Sequence, residues 1–180
     1  MKSRCSLRSA AAAVLLTAVL NTTVAAAPPR EVWVATVTLM SQFGSPHDTV
    51  GDTVNERIDR VIERMEEAAA YDPDIVCLTE VFPHASLRNL PPVPERAEAV
   101  PGPIISRIAG YARRHRCYVI CPLLTKRDGR VYNSGVLIDR KGGVAGVYDK
   151  IHPTEGEIES GITPGSLDPP VFETDFGKIG

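Results

Sequence analysis

The sequence has no surplus of charge of either sign: twenty Lys and Arg stand against twenty-two Asp and Glu, a formal net charge of -2. The basic field that gathers a phosphate backbone is therefore missing, which argues against nucleic acid as a partner. Cysteine is scarce, with four residues at positions 5, 77, 117 and 121. The one close pair, Cys117 and Cys121, lacks the further Cys or His that a zinc site needs, so no metal is expected. No internal repeat or low-complexity tract interrupts the chain. What remains is 43% hydrophobic and 23% charged, ordinary for one globular domain and unlike a disordered or fibrous chain.

The amino terminus differs in character from the rest. Lys2, Arg4 and Arg8 precede an apolar run from Ala10 to Leu20, followed by small residues through Ala27. This is the layout of a secretory signal peptide, and the run is about half of the roughly 20 residues that span a bilayer. Residues 1–27 are read as a signal peptide cut near Ala26 or Ala27, with Pro28 favouring Ala26, and 28–180 as the mature domain. The expectation is an exported protein, periplasmic or secreted, with no membrane attachment after cleavage. Three cysteines then remain, an odd count that cannot pair fully within one chain. Each lies in an apolar run, where cysteine acts as a small buried hydrophobe.

The mature part alternates strand and helix signals. EVWVATVTLM (31–40) is rich in β-branched residues and reads as a strand. From Thr49 to Tyr71, Val50, Val54, Ile58, Val61, Met65 and Ala68 recur at steps of three and four, the mark of an amphipathic helix. DIVCLT (74–79) reads as a buried strand with Glu80 at its carboxyl end. The proline-rich segment from Phe82 to Pro103 has no clear period and reads as a structured loop, and loops of that length are usually functional. Pro103 then opens a second helix through Ile104, Ile108, Tyr111, Ala112 and His115, and CYVICPLL (117–124) is the next strand. Val131 to Asp139 and Val144 to Tyr148 flank RKGG as a hairpin. This order predicts an α/β layered fold.

Two residues stand where a buried strand gives way to a loop: Glu80 after DIVCLT and Lys150 after VAGVYD. Ligands of open α/β sheets collect outside the carboxyl ends of strands, although a solvated loop charge is the commoner reading of either residue alone. The wider arrangement carries more. DIVCLTEVFP, AVPGPIISRIAGYARRH, YNSGVLID, GGVAGVYDKIHPTEGE, GITPG and FETDFGKIG follow one another in an order and spacing that resemble the nitrilase, or carbon-nitrogen hydrolase, superfamily.

That resemblance implies a nitrilase-like αββα sandwich and hydrolysis of a non-peptide C–N bond in a small amide or N-carbamoyl compound, with a nitrile less favoured. It implies Glu80 as general base, Lys150 as the ammonium that stabilises the oxyanion, and a second glutamate that positions the lysine. Glu157 is the choice for the last, with Glu155 and Glu159 as alternatives. Tyr132 and Asn133 read as fold residues first, and His152 as loop-shaping. No cofactor is implied, and the complete protein is expected to form a homo-oligomer. The family's nucleophilic cysteine lies a few residues after FGKIG, whereas this sequence ends at Gly180, and Cys77, Cys117 and Cys121 do not match it. The expectation is thus a partial sequence, incomplete at its carboxyl end and inactive alone. The competing expectations are an acyltransferase of the same superfamily and a non-catalytic binding module or pseudoenzyme.

The amino-terminal pattern makes a direct prediction. Mass spectrometry of the exported protein should place the mature terminus between Ala25 and Arg30. Recovery of intact Met1 from the cytosol contradicts it.

Overall fold

The computed structural model describes residues 30–39, 53–85, 87 and 89–180. The expected signal peptide lies outside them, as do Met40 of the expected first strand and Val50 of the expected first helix. The elements are β1 (Val34–Val37), α1 (Val54–Ala69), β2 (Ile75–Leu78), α2 (Val93–Arg96), α3 (Pro103–His115), β3 (Tyr118–Arg127), β4 (Arg130–Ile138), β5 (Val144–Asp149), α4 (Glu155–Glu159), β6 (Phe172–Thr174) and β7 (Gly177–Ile179).

The first five strands form one sheet in the order β1-β2-β3-β4-β5, parallel from β1 to β3 and antiparallel from β3 to β5. Helices α1 and α3 cover one face, burying Ile58, Val61, Met65, Ile105, Ile108 and Tyr111 against Val119, Cys121, Leu123, Val136 and Ile138. Residues of opposite parity in the same strands, Ile75, Tyr118 and Leu137, meet Phe172, Phe176 and Ile179 of the β6–β7 hairpin on the other face. Burial from both sides explains why β2 and the start of β3 read as continuous apolar runs rather than alternating ones.

Local chemistry sets the element ends. The Glu56 N–H donates to Thr53 Oγ1 at 3.2 Å and the Thr53 N–H donates to Glu56 Oε2 at 3.0 Å, a capping box that starts α1 at Val54. Helix α3 is capped from outside: the Glu98 carboxylate accepts from the N–H groups of Ile104 and Ile105, both at 3.0 Å. Arg113, Arg114 and His115 fill its last turn, where the helix dipole favours positive charge. The two helices are joined where the buried Tyr111 hydroxyl donates to the Met65 carbonyl at 2.7 Å.

Three features depart from the expectation. The loop from Phe82 to Pro103 contains the short helix α2 and pairs Glu98 with Thr125 in an isolated parallel bridge. Strand β3 runs to Arg127 and turns back directly into β4 through Asp128 and Gly129, whose φ angles of 51° and 74° suit the two-residue hairpin turn that an Asp-Gly pair signals. The RKGG turn is also more than a connector, because the Arg140 guanidinium donates to Asp74 at the start of β2 and to Asp175 of the β6–β7 hairpin.

Removing the Tyr111 hydroxyl leaves the buried Met65 carbonyl without that donor. Tyr111→Phe should lower stability by about 1 kcal/mol, read as a lower urea midpoint. An unchanged midpoint contradicts this account of how α1 and α3 are joined.

Candidate active site

Strand pairing aligns two members of the cluster, Asn133 and Lys150. Glu80 lies two residues beyond the end of β2 at Leu78, in the turn that follows the strand, and reaches the cluster from there, while Leu124 of β3 pairs with Asn133 of β4. Continuing the Ser134↔Asp149 pairing by one brings Lys150 opposite Asn133, where the Lys150 N–H donates to the Asn133 carbonyl at 2.8 Å. Asn133 shares its parity with Leu137, so its side chain leaves the sheet on the face away from α1 and α3. The bed beside it is apolar, built from Val93, Ala97, Leu124, Val131 and Ile162.

The fourth member of the cluster comes from α4. The Thr154 N–H donates to Glu157 Oε2 at 2.7 Å and the Glu157 N–H donates to Thr154 Oγ1 at 3.3 Å, a second capping box. The chain leaving this one-turn helix is tied down by backbone bonds, Ile162 N–H to the Glu157 carbonyl at 2.9 Å and Thr163 N–H to the Val131 carbonyl at 2.7 Å. The Gly165 N–H donates to the Lys150 carbonyl at 2.9 Å, and a Cβ at Gly165 would collide with the Asp149 carbonyl oxygen. GITPG therefore needs its second glycine for close approach to the Asp149–Lys150 peptide.

Lys150 Nζ lies 2.9 Å from Glu80 Oε1 and 3.0 Å from Glu157 Oε2. Asn133 Nδ2 donates to Glu80 Oε1 at 2.8 Å and to Glu157 Oε1 at 2.9 Å. The structure thus brings Glu80, Lys150 and Glu157 together and adds Asn133, expected as a fold residue first. Its amide bridges both carboxylates, and no local pattern announces that. Glu155 and Glu159 are exposed and make no ion pair with Lys150 among the described residues, and His152 is exposed and outside the cluster. The sequence does carry a signal that separates the three glutamates: only Glu157 stands three residues after Thr154, the spacing of a capping box.

The two carboxylates differ in what remains free. Burial works to raise the pKa of Glu157, but the Thr154 N–H, the Asn133 amide and the Lys150 ammonium outweigh it and hold the pKa down to about 2. Glu157 stays ionised at neutral pH with both oxygens engaged. The Glu80 side chain is 61% exposed, and both of its bonds end on Oε1. At that exposure the ion pair adds little stability, so its consequence is orientation. Hydrogen bonds to Glu80 and then Glu157 raise the Lys150 pKa against a small effect of burial, which keeps the side chain an ammonium. Two carboxylates, one ammonium and a neutral amide leave the cluster with net charge near −1 and one open carboxylate, suited to accepting a proton beside a fixed positive charge.

No described cysteine joins this cluster. Cys77, Cys117 and Cys121 are free thiols whose pKa burial raises, to about 11 for Cys117, so none is a ready thiolate. Among the described residues no group of three or more His, Cys, Asp or Glu is placed to hold a metal ion, and no helix is long and apolar enough to cross a membrane. Among the described residues, hollows lie on this face. One of about 470 Å³ is apolar, between Ile120, Leu137, Tyr148 and Phe172. Another, of about 300 Å³, reaches the chemistry, because Glu157 and Val81, the neighbour of Glu80, form its wall together with Arg96 and Leu124.

Comparison with known proteins gives the family and the fold. The family model described as carbon-nitrogen hydrolase matches residues 34–180. The bifunctional nitrilase/nitrile hydratase NIT4A of Lupinus angustifolius is 28% identical over 178 residues, covering 81% of this chain and 49% of that protein. The hydrolase in the pqqF 5′ region of Pseudomonas protegens is 31% identical over 122 residues, covering 66% of this chain and 43% of that one. Among solved structures, an amidase from Nesterenkonia sp. superimposes with a TM-score of 0.63 at 15% identity over 84% of this chain and 55% of that one. A carbon-nitrogen hydrolase from Helicobacter pylori G27 does so with a TM-score of 0.58 at 20% identity, over 82% and 49%. These two likenesses show the fold. The chain spans about half the length of the curated relatives it matches.

Proposed function

The chain belongs to the carbon-nitrogen hydrolase family, and from that premise we propose that the protein cleaves a non-peptide C–N bond in a small amide or N-carbamoyl compound by acyl transfer through a cysteine thiol supplied outside these 180 residues. The observation that carries this reading is the Lys150 ammonium held between an open carboxylate, Glu80, and a fully engaged one, Glu157.

Each group then has a role that follows from its surroundings. Glu80 takes the thiol proton as sulfur attacks the carbonyl carbon. The ammonium of Lys150 faces the oxygen that becomes an oxyanion, an interaction worth about 3 kcal/mol per donor in a preorganised site. As the tetrahedral intermediate collapses, the C–N bond breaks and the amine leaves with the proton held on Glu80. Water then gives a proton to the freed Glu80 carboxylate as its hydroxide adds to the thioester carbon, and collapse breaks the C–S bond, the carboxylic acid leaving while the thiolate takes that proton back from Glu80. Glu157 takes no proton in this cycle and sets the position of Lys150. Small-molecule substrates suit the hollow of about 300 Å³ beside Glu157.

A nitrile is the second reading, favoured by relatives named nitrilase/nitrile hydratase. The same thiolate attack on a nitrile carbon would give a thioimidate in place of the tetrahedral intermediate. We place the reaction outside the cytoplasm, on the strength of the amino-terminal pattern from Lys2 to Ala27, in a homo-oligomer that binds neither nucleic acid nor membrane.

Single-turnover kinetics on the full-length protein with an activated amide, following the thioester by intact mass, tests the assignment. Glu80→Gln should slow acylation by about 10²-fold or more, the scale of general-base loss. Lys150→Ala should cost at least as much, and the double variant far less than the product of the two, because both act on one step. Near wild-type acylation in Glu80→Gln contradicts its role as base.

A further inference from the structure

We infer that Thr125, Ser134, Asp149 and Arg127 form a positioning ring that holds the Lys150 ammonium in register from the opposite face of the sheet. This inference rests on the role proposed above for Lys150. Ser134 and Asp149 are a register pair, and each is the chain neighbour of a cluster residue, Asn133 on β4 and Lys150 after β5. Because side chains alternate along a strand, the pair that carries the cluster on one face carries Ser134 and Asp149 on the other.

The ring is closed and its hydrogens can be assigned. Ser134 Oγ donates to Asp149 Oδ1 at 2.6 Å. With its one hydrogen spent there, Ser134 accepts from the Thr125 hydroxyl, also at 2.6 Å. The Thr125 oxygen in turn accepts from Arg127 Nη1 at 2.9 Å, and Arg127 Nη2 forms an ion pair with Asp149. Thr125 and Ser134 are 0% and 1% exposed, so a hydroxyl left unpaired there would be costly. The Arg127 guanidinium also lies 4.3 Å from the centre of the Tyr132 ring, which fixes its plane.

The position of Lys150 needs such a device. Among the described residues β5 is an edge strand paired with β4 alone, its register slips at Leu137/Ile138, and Asp149 is its last residue. Lys150 follows, with backbone bonds to Asn133 and Gly165. The ring grips Asp149 from the helix side while Gly165 packs on the Asp149–Lys150 peptide, leaving the ammonium free to be aimed by Glu80 and Glu157. Among the described residues the ring side chains bond to one another and not to Glu80, Asn133, Lys150 or Glu157, so they act through Lys150 and not on substrate.

Charge and position can be separated because they give opposite signs. The charged groups around Lys150 are Glu80 and Glu157 on its own face and Asp149 and Arg127 behind it. Arg127→Gln removes a positive charge, so through-space electrostatics alone would raise the Lys150 pKa, whereas loss of aim weakens its contacts with Glu80 and Glu157 and lowers it. Ser134→Ala changes no charge and should lower it too. The measurement is a ¹³Cε NMR titration of lysine in the full-length protein, with the Lys150 signal identified by its loss in Lys150→Met. A fall in both variants is expected, together with a drop in kcat of about 10-fold or more at nearly constant KM. A rise in Arg127→Gln, or no change in Ser134→Ala, overturns the ring as a positioning device, and Ser134→Ala decides alone if Arg127→Gln does not fold. Should the wild type hydrolyse no amide, carbamoyl compound or nitrile, the functional reading fails while the titration still judges the ring.

Discussion

Among the described residues, Lys150 is the one cation hydrogen-bonded to Glu80 or Glu157, whose Oε1 atoms both lie within 3 Å of a single amide nitrogen on Asn133. Two carboxylates brought that close repel unless a positive charge sits between them. The ammonium removes the repulsion, and in doing so fixes three side chains from separate parts of the chain in one geometry. The same contact makes the carboxylates unequal. Glu157 is tied at both oxygens and spends its basicity on Thr154, Asn133 and Lys150, while Glu80 keeps an open side.

The sheet turns that contact into a reproducible position. Strands β4 and β5 deliver Asn133 and Lys150 to one level, because the register of β4 on β3 is set by a two-residue turn, and the turn after β2 brings Glu80 to them. A slip of one residue in β4 or β5 would send Asn133 or Lys150 to the helix face and bring Ser134 or Asp149 forward. The bonds of Ser134 and Asp149 to Thr125 and Arg127 therefore oppose the slip that would destroy the site. Stability of the fold and aim of the site are coupled at these two adjacent residue pairs.

Much of this was legible because burial imposes a period. Ile58, Val61 and Met65, or Ile105, Ile108 and Tyr111, announce helices whatever else the chain does, and β2 is read from its unbroken apolar run. Elements set by caps and turns were harder: α2 and α4 have too few residues for a period, and α4 exists through Thr154 and Glu157. Strand β3 extends past the expected end because Thr125, Lys126 and Arg127 are polar yet still paired with β4. Glu80 and Lys150 stood out at strand ends, and Glu157 came from resemblance. Asn133 did not stand out, since its partners lie 53 and 24 residues away and a strand asparagine carries no local sign of that.

The central claim is that the Lys150 ammonium organises the two glutamates. Its most direct test is a ¹³C NMR titration of the Glu157 carboxyl in the full-length protein, with and without the lysine charge. The wild-type carboxyl should titrate near 2, and in Lys150→Met its pKa should rise toward the ordinary glutamate value of about 4.3. A wild-type Glu157 that titrates in the ordinary range, or one that does not move when Lys150 is replaced, would contradict the account.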